Sequence, residues 1–416
     1  MLHRQKEPHN LSIIRIHILL IVMILTIPTI AFSKQMQNKF LLNAETQKTF
    51  KNNFTENGLT GNAIGFQSIR NFNKFKSNIS INSSSKNKLT FDQSFIEFNS
   101  KNKIFGIGKI NRNWSFSPNT SLILSSNARP SDSIYFLMQK NQKPENILSW
   151  IGPWSFETFN SFTSNPIGIK NSMLLGIRVV IEPIENLKFE AVKTSQWGGN
   201  GQNQNISSLI SAIGGNTNED EDSNINQMAG IGVSFLTNIN KIQSRFYSQL
   251  IGEDEAGSLP SCFMSMIGNE FIFPTNGLFS KIGFEFIDTR INNTANGYCG
   301  PNTAYNNNLY PYTNYGKVIG TSIDTESKSF NIWASKKISE TITINTSFKD
   351  ITINDNNYLS HRLSSTKKNG LQTNVGISIQ LKSLKIRSEI FHQNFTLNKA
   401  GYKNNLNFKL STEYIF

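Results

Sequence analysis

Several features that organise other proteins are scarce in this sequence of 416 residues. With 2 cysteines it has too few for a disulfide framework or a four-thiolate metal site. Only 17% of the residues are charged, and acids are the scarcer sign: 28 Asp and Glu against 41 Lys and Arg, a formal charge of +13. One apolar run alone approaches the roughly 18 residues that a spanning helix needs, which excludes a helical membrane protein. No HExxH, GxSxG or phosphate-cradling glycine loop occurs, so neither a catalytic residue nor a cofactor or metal is expected. No repeat of about 20–50 residues appears, which argues against solenoids and propellers. Aromatic residues are plentiful. The chain has 31 Phe, 10 Tyr and 5 Trp, too many for a wholly disordered coil.

The single long apolar run reads as a secretory signal over residues 1–33. Arg4, Lys6 and Arg15 form a positive start, Ile18–Ile30 an apolar core of 13 residues, and Ala31-Phe32-Ser33 a small-residue cleavage site. Cleavage removes three cations and Glu7, so the mature charge is 13 − 2 = +11. It also removes His3, His9 and His17, leaving His361 and His392 as the candidate bases for a hydrolase. Neither has triad-like neighbours in sequence, and each reads as an ordinary surface or lumen residue.

From about residue 60 the chain repeats one unit: eight to twelve residues alternating apolar and polar, then a turn. The cleanest is Leu371, Thr373, Val375, Ile377, Ile379 and Leu381, interleaved with Gln372, Asn374, Gly376, Ser378 and Gln380. Strand side chains point alternately to two faces, so each unit has one apolar and one polar surface. A soluble sandwich shows the same alternation, and the connections decide between the two. Short turns at Thr237–Asn240, Pro274–Gly277 and Lys382–Ser383 alternate with long segments at about 195–227, 252–262, 288–328, 350–370 and 396–404. That rhythm is the signature of an outer-membrane barrel. The last strand, Leu406–Phe416, ends on an aromatic suited to the interfacial girdle. The fold read here is all-β: a transmembrane antiparallel β-barrel over 60–416, preceded by a short periplasmic N-terminal segment over 34–59. About 17 strands can be counted from residue 60, with a weak extra one around Phe50–Phe54; parity requires 18 or 16. The expected location is the cell outer membrane, in contact with its lipid and lipopolysaccharide.

The expected extracellular loops hold the informative residues. Ser195–Gly201 sets Gln196 and Trp197 among glycines and amides, where an indole face stacks on a pyranose or anchors a tight turn. Glu253 and Asp254 begin an acidic stretch within Gly252–Gly257, and Glu219–Asp222 reads as a solvated tip. Cys262 and Cys299 fall on the same outer side of the 263–287 hairpin, where an oxidising compartment allows a disulfide. The positive charge points to an anionic surface partner such as lipopolysaccharide phosphate or an acidic polysaccharide. Lys is scattered along the chain, however, and nucleic acid is not expected as a partner in this location.

Six segments in order give the chain a resemblance to the Wzi family of outer-membrane capsule-assembly proteins. They are Ser121–Pro130 (SLILSSNARP), Trp150–Trp154 (WIGPW), Ser195–Gly201 (SQWGGNG), Asn226–Gly230 (NQMAG), Tyr247–Ser261 (YSQLIGEDEAGSLPS) and Asp288-Thr289-Arg290. The resemblance implies 18 strands and a lectin-like role: holding capsular polysaccharide at the cell surface, without being the export channel. On loop position and residue type, Gln196, Trp197, Glu253, Asp254, Arg129 and Trp154 are the candidate polysaccharide contacts. The alternative is a general or sugar-selective porin. The expected product is a non-enzymatic monomer. The chain departs from the family at Asn113–Pro118, where the family has a Trp-Trp-Gly-Pro-Gly segment. It departs again before the barrel, where Lys34–Lys51 has room for one helix and not for the family's periplasmic bundle.

Overall fold

The structure is a computed structural model that describes residues 35–47, 50, 59, 61–84, 89–214, 225–256, 259–274, 278–291 and 299–416. The expected signal, the Glu219–Asp222 tip and most of Phe50–Phe54 lie outside these residues. Twenty strands are numbered here in chain order. The first seven are β1 (Gln35–Glu45), β2 (Ala63–Phe72), β3 (Phe75–Ser84), β4 (Phe95–Ser100), β5 (Lys103–Lys109), β6 (Asp132–Lys140) and β7 (Trp154–Phe162). Next come β8 (Met173–Ile184), β9 (Leu187–Trp197), β10 (Asn226–Ile239), β11 (Ile242–Ala256), β12 (Leu259–Ile272), β13 (Lys281–Asp288) and the short hairpin β14 (Thr313–Asn314)–β15 (Lys317–Val318). The last five are β16 (Lys328–Lys337), β17 (Ile342–Ile353), β18 (Lys368–Gln380), β19 (Leu384–Gln393) and β20 (Asn405–Ile415). One α-helix, α1 (Ile206–Gly214), occurs among the described residues.

All strands except the short hairpin form one sheet of 18, each antiparallel to its neighbours. The sheet closes because β1 pairs with β2 (Gln35↔Asn71) and also with β20 (Lys39↔Ile415). Closure leaves no edge with unpaired backbone groups, the condition for a sheet to sit in lipid. The alternation faces inside out relative to a soluble protein. Ile134 is 68% exposed and Ile231 63%, both on the outer wall, whereas Glu285 in the lumen is 0% exposed. Both ends of the sheet's chain path lie on one rim, with the two-residue turns. Three of these turns begin or end on asparagines with positive φ: Asn73 (48°), Asn186 (67°) and Asn240 (57°). Asparagine tolerates that conformation better than most side chains, which gives the chain's asparagines one structural use. Apart from the β6–β7 connection (residues 141–153), the longest connections gather on the opposite rim, the extracellular one for a barrel of this kind.

Two expectations on the boundaries are corrected. Residues 35–45, read above as part of a periplasmic segment with one helix, are a barrel strand: Met36 and Phe40 face outward while Leu41 and Asn43 are buried. A helix there would have left β2 and β20 with open edges. The segment 252–262 is not a long loop either. The β11–β12 ladder runs on through Asp254↔Ser261 and Ala256↔Leu259, so this hairpin stands as paired strands where a loop was expected.

Candidate functional site

The connection between β5 and β6 enters the lumen. Trp114 is buried, donates from Nε1 to Glu157 Oε2 at 3.0 Å, and meets Phe159 edge-on at 5.3 Å. Arg112 bonds the other Glu157 oxygen at 3.2 Å, with its guanidinium 4.2 Å over the Phe159 ring. Gln249 of β11 clamps the segment's backbone: Nε2 donates to the Trp114 carbonyl (2.6 Å), and Oε1 accepts from the Leu122 N–H (2.9 Å). Its Nε2 also meets Glu190, which pairs with Arg178 at 2.7 Å. Ser117 and Tyr247 both donate to Glu285. Two carboxylates of the barrel wall, Glu157 and Glu285, thus grip one inserted segment, and Glu190 positions the glutamine that clamps it. Buried polar groups demand partners, and here wall and plug satisfy each other. The Asn113–Pro118 departure noted in the sequence lies within this plug.

A second layer covers the first. Residues 299–327 cross the mouth, and Tyr305 and Tyr312 stack at 5.9 Å. Their hydroxyls donate to the carbonyls of Leu122 (2.6 Å) and Ile123 (2.9 Å). Burial raises both phenol pKa values, so these donors stay protonated. Ser125 N–H reaches Ile319 O at 2.9 Å, and Asn127 Nδ2 reaches Val318 O at 2.8 Å. Cys262 and Cys299 are disulfide-bonded, with Cα atoms 5.5 Å apart, and tie this layer to the tall β11–β12 hairpin. The bridge closes 37 residues, for which chain entropy alone gives about 4 kcal/mol. A Cys262→Ser/Cys299→Ser double variant is expected to be nicked within 299–327 many times faster under limited proteolysis, as is reduced wild type. Equal rates would mean that the tyrosine bonds alone hold the layer.

A third loop, 354–367, locks onto the second. Arg362 forks onto Asp324 and reaches Asn306 Oδ1 at 2.8 Å. Arg290 joins Asp288 (2.6 Å) to Asp355 (2.8 Å), and Lys367 adds a further bond to Asp355. His361 is buried between the loops. Its Nδ1 accepts from the Leu363 N–H (3.1 Å), so Nε2–H donates to Thr325 O (3.0 Å). A proton on Nδ1 would face two backbone N–H groups, those of Leu363 and Ser364. Burial pushes its pKa below the ordinary 6.5, against the pull of Asp324. Because the folded value is the depressed one, the loop docking is at full strength above pH 6.5 and weakens as pH falls below it. Amide exchange of 299–327 and 354–367, corrected for intrinsic rate, is expected to be faster at about pH 5.5 than at about pH 7.5. A His361→Gln variant should lose that difference. This residue holds loops together; it does not stand as a free base. His392 is an exposed residue of β19.

The candidate contacts do not converge on one open pocket. Gln196 is buried, donating to Pro311 O (3.2 Å) and accepting from Asn226 (3.2 Å), so it is a strut between wall and second layer. Trp197 is 4% exposed, bonds Asn160 Oδ1 at 3.3 Å and packs with Met173, Leu175 and Ala212. In this fold its ring is an anchor on the outer wall, with no face open to a sugar. Glu253 is buried, and its charge acts on Tyr305, Tyr312 and Arg362. Asp254 pairs with Ser261 in the ladder. Trp154 opens β7 on the rim of the short turns, opposite the loops, because antiparallel alternation puts the β6–β7 connection there. Arg129 remains in the mouth. It forks onto Asp92 (2.8 and 3.0 Å), and its guanidinium lies 4.3 Å under the ring of Tyr315.

Tyr315 was not singled out in the sequence. It sits at the tip of the β14–β15 hairpin with φ 49°, followed by Gly316 at φ 73°, and is 41% exposed. Asn314-Tyr315-Gly316-Lys317 within an otherwise polar loop is a tight-hairpin signal, the one cue that pointed to it. Below it a small cavity is lined by Asn111, Arg112, Arg129, Ser131 and Asn314 and, in similar number, by apolar residues such as Leu124, Phe159, Leu174 and Ile319. An aromatic face outside and amides, hydroxyls and guanidinium groups beneath are the groups that hold a sugar ring and its hydroxyls.

A family model described as "Capsule assembly protein Wzi" matches residues 31–406. A Klebsiella pneumoniae protein, "Uncharacterized 55.8 kDa protein in cps region", is 32% identical over 174 residues, which are 41% of this chain and 34% of that protein. The match thus spans about a third of the length of that curated relative. Escherichia coli Wzi, described as an outer membrane protein involved in group 1 capsule assembly and a carbohydrate-binding β-barrel, superposes with a TM-score of 0.73 at 18% identity. The superposition covers 91% of this chain and 84% of that one. Pseudomonas aeruginosa OprD superposes with a TM-score of 0.51 at 9% identity over 92% of this chain and 96% of its own. Identities this low establish the shared barrel fold alone.

Proposed function

The chain belongs to the Wzi capsule-assembly family, and we propose that it acts in the outer membrane as a lectin that retains capsular or other surface polysaccharide. The observation that carries this reading is the loop face itself: a mouth filled by two docked layers, with Tyr315 standing out over Arg129. A porin needs an aqueous lumen, and the inserted segment takes that space. The chain's positive formal charge favours an acidic glycan, and the lipid-facing wall is read as touching acyl chains and lipopolysaccharide. The barrel is read as a monomer, and its closed sheet leaves no edge to which a second copy could add strands.

Binding of polysaccharide shed by the protein's own strain, measured on the detergent-solubilised barrel, tests the reading. Intact protein is expected to bind, and Tyr315→Ala to weaken binding about tenfold, the worth of one stacked ring. Arg129 is a poorer first choice, since its loss strands the buried Asp92. No binding by intact protein to the strain's own glycan would overturn the proposal.

A further inference from the structure

The 198–225 loop carries α1 out of the mouth and onto the outer wall. On β9, Glu190, Val192, Thr194 and Gln196 are buried on the lumen side, so Lys193, Ser195 and Trp197 point outward. The helix lies over them. Ser195 Oγ donates to Ala212 O at 2.7 Å, and Lys193 Nζ to Ile213 O at 3.0 Å. Both carbonyls belong to the last turn, where a helix leaves acceptors unpaired and where a cation is favoured. Ala212 is fully buried against Met173, Leu175 and Trp197.

The other side of the helix is apolar and uncovered. Ile206 is 78% exposed, Ile210 62% and Ile213 48%. Spaced by four and then three residues, they form one stripe. Directly below, the outer wall continues with Phe189, Ile231 and Phe235, all exposed. Height places the stripe. Leu175, under the helix, lies nine residues from Ile184 at the rim of short turns. At about 3.3 Å per residue and a tilt of about 40°, that is a rise of about 23 Å, close to the roughly 25 Å of a barrel's apolar band. The helix therefore sits at the outer border of the lipid-facing wall and is continuous with it.

We infer that α1 is an interfacial helix lying in the outer leaflet, with Ile206, Ile210 and Ile213 against the acyl chains of membrane lipid. It covers two polar side chains that would otherwise face hydrocarbon, and it holds residues 206–214 at a fixed height. The start of the connection is fixed at Gly198, whose carbonyl accepts from Tyr310 of the second layer at 2.8 Å. The helix is thus a lateral strut that levels the loop face on the membrane. The inference depends on the barrel and not on what the loops bind.

Nitroxide labels on Ile206→Cys, Ile210→Cys and Ile213→Cys, read in full-length protein in phosphatidylethanolamine–phosphatidylglycerol vesicles, test it. Collision with dissolved oxygen is expected to dominate over collision with a water-soluble nickel chelate at all three. A Leu359→Cys label on the exposed 354–367 loop should show the reverse. Nickel-dominated collision along the stripe would overturn the inference by placing the helix in water. Protection from both reagents would overturn it too, by placing a protein surface there. Three label sites keep the test decisive if one substitution undocks the helix.

Discussion

Deletion of residues 113–122 turns an electrically silent barrel into an ion-conducting one. Barrels of about 16–18 strands leave an aqueous channel unless something fills them. Here the filling is one inserted segment held by Glu157, Gln249 and Glu285, with Glu190 bracing Gln249 from behind. The deletion also removes Leu122, the acceptor of Tyr305, while the bond of Tyr312 to Ile123 and the Cys262–Cys299 bridge keep the second layer attached. Reconstituted wild type is expected to show no stable unitary steps, and the deletion variant steps larger by about an order of magnitude or more. A gentler change supports the same point. Gln249→Ala strips the Leu122 N–H of its partner, at about 1–3 kcal/mol for a buried group left unsatisfied, and leaves the Trp114 carbonyl held by Ser121 alone. That variant is expected to flicker between closed and conducting levels. Steady conductance by wild type, or silence in a correctly folded deletion variant, would contradict the assignment of the plug.

The barrel was legible because period-two alternation is a direct imprint of one greasy and one wet face. The rhythm of turns and loops then separated it from a soluble sandwich. The place of the closing first strand was the part missed. Gln35–Glu45 alternates as well, but Phe40-Leu41-Leu42 interrupts the pattern, and Leu41 packs inward with Leu59 and Ala63. The site was less legible for a related reason. Gln196, Trp197 and Glu253 have residue types that suit sugar contact, yet the same types suit struts in a plugged mouth. Which role applies depends on whether a distant loop covers them, and 299–327 covers Gln196 through Pro311. Tyr315 escaped notice because exposure at a hairpin tip is a tertiary fact. His361 carried no local signal for its place between two loops.

Loss of the protein should change where polysaccharide resides, not how much is made. On the proposed reading the loop layers hold glycan, and the plug leaves no route through which to export it. A deletion strain is therefore expected to synthesise its usual total, with the cell-bound share falling several-fold and the shed share rising to match. Wild-type protein supplied in trans should restore the bound share, whereas Tyr315→Ala should restore it only in part. The decisive measurement is the ratio of cell-bound to shed polysaccharide in the deletion strain and its parent. A sharp fall in that ratio at constant total is the outcome expected of a surface lectin. An unchanged ratio, or a fall in total export, would contradict it.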